Sequence, residues 1–171
     1  MSAANALTLF RAIAGIPIAI ALTFDARGLA FAIFLVAALS DALDGWLARR
    51  SGTATDRGVL LDPLADKALV LLTLAALWLV GTVPTALVAV ITAREMLVAA
   101  LRVLRYRTGE HSLASTAAKL KTGLEMCAIS VLILAPTVMR PVGVALLGAA
   151  LVISLVTLPT YFPRRSARYT I

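Results

Sequence analysis

The sequence predicts an all-α integral membrane protein, a single domain of six transmembrane helices over residues 1–171, and three observations carry that prediction. First, the chain of 171 residues is 61% hydrophobic and only 15% charged. Its mean hydropathy is +0.95, far more apolar than a soluble domain of this size. Second, apolar segments recur at 6–24, 28–50, 58–80, 83–107, 113–136 and 141–161, each near the roughly 20 residues that a bilayer-spanning helix needs. Third, of 16 Lys and Arg residues only Arg27 and Arg140 fall on one side of these segments. That asymmetry places the other side, with both termini, in the cytoplasm, and the protein in the inner (cytoplasmic) membrane. Six spans use up the chain and leave no second globular domain. Disorder and a disulfide scaffold are excluded by the same composition.

The elements follow in order. The first segment carries Arg11 inside it rather than before it and is followed by five more, so it reads as a span and not as a cleavable signal. Asp25-Ala26-Arg27-Gly28 turns the chain into the second span. That span has only eleven apolar or small residues, Leu29 to Leu39, before Ser40 and Asp41. A crossing of about 20 residues forces the helix to continue through Asp41, Asp44 and Gly45 to about Arg49. The third span begins near Gly58 and holds Asp62 and Asp66 in its first turns. Gly81-Thr82-Val83-Pro84 leads into the fourth, where Pro84 suits a first helical turn. Pro136 and Pro141 bracket the turn before the sixth, whose Gly143 and Gly148 suggest a packing face without matching the small-xxx-small pattern.

Some chemistry is excluded at once. The formal net charge of +7 follows membrane topology rather than an aromatic-interleaved groove, so no nucleic acid is expected as partner. The single cysteine, Cys127, lies in an apolar run and reads as a small hydrophobe. The single histidine, His111, stands beside Glu110 in a polar loop. It cannot supply the three or four ligands of a zinc site, and it reads as a solvated residue rather than as part of a Ser-His-Asp relay.

The carboxylates inside the spans demand an explanation, because each costs of order 2–3 kcal/mol to place in a membrane helix. Asp41 and Asp44 are three residues apart, and Asp62 and Asp66 four apart, so each pair shares a helical face. Consecutive antiparallel spans can bring the two pairs together. Four clustered carboxylates repel unless cations neutralise them. An all-oxygen set suits two hard divalent ions, Mg²⁺ or Mn²⁺, the usual clamp for attack at phosphorus. The competing account is a structural network with Arg49, Arg50, Arg57 and Lys67. Gly45 and Ala48 favour a site, since small residues leave room for a flat ligand beside the backbone.

Asp41, Asp44, Gly45, Ala48, Arg49, Gly58, Asp62 and Asp66 stand in the spacing of the CDP-alcohol phosphatidyltransferase signature, with eight fixed residues over 26 positions. The chain is therefore identified as resembling that family, and the resemblance implies its six-helix CDP-alcohol phosphotransferase fold with the active site at the cytoplasmic interface. Asn5-Ala-Leu-Thr8-Leu-Phe-Arg11, Asp62-Pro63-Leu-Ala-Asp66-Lys67, Ala93-Arg94-Glu95 followed by Arg102, and Lys119-Leu-Lys121-Thr122 are similar to the branch that uses glycerol 3-phosphate. The resemblance implies CDP-diacylglycerol as donor, with its phosphatidyl group passed to an acceptor hydroxyl and CMP released. Asp41, Asp44 and Asp62 would be the main metal ligands, and Asp66 the base and a further ligand. Gly45, Ala48, Arg49 and Gly58, with Asp41 and Asp44, would receive the cytidine and its phosphates. Asn5, Thr8 and Arg11 would add polar contacts, although a helix cap accounts equally well for Asn5.

The acceptor is read from four cations. Arg94, Arg102, Lys119 and Lys121 gather near one cytoplasmic mouth and suit a phosphate-bearing alcohol such as glycerol 3-phosphate. Interfacial snorkelling is the competing account of Arg102 and Lys119. Ala118 and Glu125 depart from the pattern of the branch, which has glycine and glutamine there. A carboxylate at 125 would either repel a phosphate or pair with Lys121. Other acceptors of the same chemistry are inositol phosphate and phosphatidylglycerol. A small cation channel or transporter is the alternative from another class, but its charges would ring a pore or sit at the midplane. A homodimer is implied by resemblance alone.

Overall fold

The computed structural model describes residues 3–51, 58–107 and 116–161. Six α-helices form in the expected order: α1 Ala3–Thr23, α2 Arg27–Ser51, α3 Gly58–Leu79, α4 Thr85–Arg107, α5 Thr116–Leu134 and α6 Arg140–Val156. A short 3₁₀ turn, Leu158–Tyr161, follows α6, and no strand occurs among the described residues.

Two of the connections share one device. At the end of α1, the Ala26 N–H donates to Ala21 O at 2.8 Å and the Asp25 N–H to Leu22 O at 3.1 Å. At the end of α3, the Thr82 N–H donates to Leu77 O at 2.8 Å and the Gly81 N–H to Trp78 O at 2.9 Å. Both are Schellman caps, which use carbonyls that a helix end leaves unpaired and need a left-handed residue at their centre. Gly81 supplies it with φ 74° and Asp25 with φ 56°. Between α5 and α6, Pro141 falls in the first turn of α6, where a missing N–H costs nothing. The Arg140 Nε donates to Thr82 O at 2.8 Å, tying this turn to the one between α3 and α4.

The sixth helix ends earlier than the apolar run predicts. Residues up to 161 read as one span, yet the α-helix stops at Val156 and the 3₁₀ turn takes over. Pro159 has no N–H to donate and disfavours helical geometry at Leu158.

Packing is built around α1. It contacts both α2 and α3, α5 pairs with α6 and also meets α2 and α3, and α4 touches α3 and α6. Gly15 of α1 is where Leu72 of α3 comes close enough to occupy the space of a side chain, and Gly143 of α6 does the same for Leu132 of α5. The packing face suggested at Gly143 is thus filled within the chain, while Gly148 faces open space. The buried core runs through Ala14, Ile18 and Leu22, then Leu69, Leu74 and Leu77, and Ile129, Leu132 and Ile133.

The surface is aliphatic and the interior carries charge. Ile13, Ile16, Ile20, Leu35, Val36 and Leu39 are exposed, as are Leu97, Leu104, Val152 and Val156, whereas Arg11, Arg94, Glu95, Lys121 and Glu125 are buried. Among the described residues, no helix is long and apolar enough to cross a membrane. α6 has 17 residues, and α3, α4 and α5 are interrupted by Lys67, Arg94, Glu95, Lys119, Lys121 and Glu125.

Candidate active site

The sequence-predicted residues divide between two places. Asp41, Asp44, Gly45, Ala48 and Arg49 lie in α2, Gly58, Asp62 and Asp66 in the first turns of α3, and Asn5 and Thr8 in α1. Their side chains fall outside the described residues, as does His111. The helices that carry the two aspartate pairs share α1 and α5 as neighbours. Among the described residues no three carboxylate, histidine or cysteine ligands stand together. Arg11, one turn beyond Thr8, is fully buried in α1.

The cations are better defined. Arg94 of α4 and Lys121 of α5 both reach Glu95, which lies next to Arg94 in sequence and was given no role by the sequence. The Arg94 Nη1 donates to Glu95 Oε1 at 2.6 Å, and the Lys121 Nζ donates to the same oxygen at 2.6 Å. Lys67 of α3 takes the other side, its Nζ standing 3.0 Å from Glu95 Oε2 and donating to the Glu95 carbonyl at 2.9 Å. Three helices therefore meet on one buried carboxylate. Glu125 pairs with Lys121 at 2.9 Å, one turn along α5, which decides between the two readings of that departure in favour of pairing.

The remaining contacts come from the end of α6. The Arg94 Nη2 donates to Ser154 O at 2.9 Å. This carbonyl lies in the last turn, where a cation also meets the negative end of the helix dipole. Tyr161, at the close of the 3₁₀ turn, is the aromatic neighbour of two arginines. Its ring centroid lies 5.8 Å from the Arg94 guanidinium carbon and 5.4 Å from that of Arg102, within cation–π range. Its hydroxyl also accepts from Arg102 Nη2 at 3.3 Å. Nothing near Tyr161 in the sequence signals this role, because the contact spans 59 residues.

Lys119 does not join the group. It is exposed while Lys121 is buried, as two residues apart on a helix face roughly opposite ways.

The electrostatic sum decides what such a cluster can do. Lys67, Arg94, Arg102 and Lys121 bring four positive charges, and Glu95 and Glu125 two negative ones. Buried ion pairs barely recover their desolvation cost even when balanced; among the described residues this cluster is unbalanced by two. A phosphate monoester carries about −1.5 to −2 at neutral pH. Among the described residues the Arg94 Nε is buried with no hydrogen-bond partner, and each lysine ammonium spends two of its three donors on the glutamates. Donors therefore remain for an anion.

Known proteins match this chain along most of its length. The family profile described as CDP-alcohol phosphatidyltransferase covers residues 1–157. A protein of Mycobacterium tuberculosis (strain H37Rv) named "Probable phosphatidylglycerophosphate synthase" is 34% identical over 168 residues, covering 94% of this chain and 80% of that one. A CDP-diacylglycerol–glycerol-3-phosphate 3-phosphatidyltransferase of Rickettsia bellii is 40% identical over 135 residues, 76% of this chain and 74% of that one. Another of the same name from Bacillus subtilis is 39% identical over 102 residues, 60% and 53% of the two chains. The aspartate signature lies inside the matched region, and so do Lys67, Arg94, Glu95 and Lys121. By descent as well as by motif, this chain belongs to the CDP-alcohol phosphatidyltransferase family.

Proposed function

We propose that the protein transfers the phosphatidyl group of CDP-diacylglycerol to glycerol 3-phosphate, giving phosphatidylglycerophosphate and CMP, at the cytoplasmic face of the membrane. The observation that carries the choice of acceptor is the cluster of the buried Arg94 and Lys121 with the half-buried Lys67 and Arg102, whose positive charge exceeds that of Glu95 and Glu125. A phosphate would complete it with charge-assisted bonds that a neutral alcohol could not make. The printed names of the relatives point the same way.

The chain's own residues divide the work. Asp41, Asp44, Asp62 and Asp66 offer oxygen ligands only, which fits two hard divalent ions, Mg²⁺ or Mn²⁺. When bound, these ions would neutralise the pyrophosphate and the charge that develops on CMP. Gly45, Ala48 and Gly58 leave room for the nucleotide beside the helix backbones, and Arg49, Asn5, Thr8 and Arg11 add polar contacts. Arg94, Arg102 and Lys121 hold the acceptor phosphate. Asp66 then takes the proton from the acceptor hydroxyl. That oxygen attacks the β-phosphorus that bears diacylglycerol, and the bond from this phosphorus to the CMP oxygen breaks.

The membrane setting is supported by the distribution of polarity. Aliphatic side chains line the outside and charges the inside, the arrangement expected when the solvent is lipid. Helices of 17 to 25 residues are about 26–38 Å long at 1.5 Å per residue, against a hydrocarbon core of about 30 Å.

The test supplies purified protein in lipid micelles with CDP-diacylglycerol and, separately, glycerol 3-phosphate, inositol phosphate or phosphatidylglycerol. Phosphatidylglycerophosphate formed from the first is the expected product. A lipid formed only from one of the others would replace the acceptor. Absence of CMP release with all three would overturn the reaction itself.

A further inference from the structure

The most heavily shared group in the interior is neither a metal ligand nor a candidate contact to substrate. Glu95 receives Arg94 and Lys121 on one carboxylate oxygen, each at 2.6 Å. It receives Lys67 on the other at 3.0 Å and again on its main-chain oxygen at 2.9 Å. Its side chain is 5% exposed. We propose that Glu95 is the positioning residue of the acceptor site: anchored by Lys67, it draws Arg94 and Lys121 from two helices into one constellation, and the unspent donors of Arg94 and Lys121 face the acceptor phosphate. The inference rests on the acceptor reading above and assigns it a residue that makes no contact with substrate.

The physical argument concerns what these cations would do alone. A lysine ammonium is a point charge on a flexible four-carbon stem, and fixing it costs rotamer freedom. Two such ammoniums and the Arg94 guanidinium brought together in the interior also repel. A central carboxylate removes both obstacles before substrate arrives, which is how preorganisation raises affinity. Without it, Lys121 still has Glu125 at 2.9 Å and Arg94 still has Ser154 O at 2.9 Å. Each would settle on its second partner, and the constellation would open. Lys67 has no such second partner among the described residues: both of its contacts are to Glu95. Because Lys67 directly follows Asp66, Glu95 also ties the acceptor cations to the stretch of α3 that carries the proposed base.

The opposite role predicts the opposite sign. If Glu95 merely competed with phosphate for Arg94 and Lys121, neutralising it would tighten acceptor binding. Glu95→Gln keeps the shape and removes the charge. The expected result is a rise in the glycerol 3-phosphate KM of about tenfold or more, with the CDP-diacylglycerol KM within about twofold of the parent. An unchanged or lower acceptor KM would overturn the proposal, as would an equal rise in both KM values, which signals general disruption. Lys67→Met is the second variant, for the case that Glu95→Gln does not fold. It takes two bonds from Glu95 without removing an assigned phosphate contact, and it should raise the same KM by several-fold; no change would count against the proposal equally. The parent enzyme separates the two readings. If it makes no lipid from glycerol 3-phosphate, the acceptor is wrong; if it does and the variants match it, only the role of Glu95 falls.

Discussion

The two ends of the helix bundle solve the problem of polar groups in different ways. At the end that holds the α1–α2, α3–α4 and α5–α6 turns, the partners are mostly backbone: two Schellman caps and Arg140 on the Thr82 carbonyl. Among the described residues the one side-chain ion pair there, Arg27 with Asp25 at 2.7 Å, leaves the aspartate 79% exposed, and such pairs contribute little. At the other end, among the described side chains, charge is set against charge: Glu95 and Glu125 hold Lys67, Arg94 and Lys121. A fold in need only of closed helix ends has the cheaper solution available, because it uses it twice. On the function proposed above, the costly end is explained by what binds there.

The largest effect should come from Asp66. If the charged end is catalytic, Asp66→Asn should lower kcat by at least about 10²-fold, as expected for loss of a general base, while CDP-diacylglycerol binding survives on the other three aspartates. Excess EDTA should stop CMP release, and added Mg²⁺ or Mn²⁺ should restore it. Normal turnover by Asp66→Asn, or activity in EDTA, would remove the functional contrast between the two ends.

What the sequence could reveal follows the same division. The turn end was legible because its signals are local: Asp25 to Gly28 and Gly81 to Pro84 mark turns, and Pro84 and Pro141 mark the starts of the helices that follow. The helices accordingly fall within a few residues of the apolar runs, for example Arg27–Ser51 against 28–50. The charged end was legible only in part. The aspartate signature and Arg94, Arg102 and Lys121 stand out by type and spacing. Glu95 did not, although a carboxylate inside an apolar span is itself a signal, given what it costs there. The choice between repulsion and pairing for Glu125 needed the helix geometry that sets it beside Lys121. Tyr161 needed the tertiary fold, since its partners Arg94 and Arg102 lie two helices earlier.

A smaller effect distinguishes binding from chemistry within the charged end. Arg94→Ala and Lys121→Ala each remove a charged donor. Each should raise the glycerol 3-phosphate KM by roughly tenfold, from about 1.5–3 kcal/mol per bond to a charged group. The CDP-diacylglycerol KM should stay near its parent value, because that substrate is assigned to the aspartates. Lys119→Ala, on the exposed side of α5, should move neither by more than about twofold. If Arg94→Ala and Lys121→Ala leave the acceptor KM unchanged, the cluster is only structural, and a lipid acceptor becomes the better reading.

The smallest effect belongs to the turn end, where one motif occurs with two different central residues. Gly81 and Asp25 both hold the left-handed position of a Schellman cap, at φ 74° and φ 56°. A Cβ added at Gly81 would meet nothing within 4 Å, so Gly81→Ala isolates the backbone cost of a left-handed L-residue, about 1–2 kcal/mol. For a chain of this size that corresponds to about 2–8 °C in thermal midpoint. Asp25→Gly runs the exchange in reverse. It relieves the same strain and gives up only the exposed pair with Arg27, worth about 1 kcal/mol at most. Its midpoint should therefore be unchanged or slightly higher. Both variants should keep the parent KM for both substrates, measured in the same micelles as the midpoints. If Gly81→Ala shifted the acceptor KM as Arg94→Ala does, the two ends would be coupled through α4, and the division of labour between them would fail.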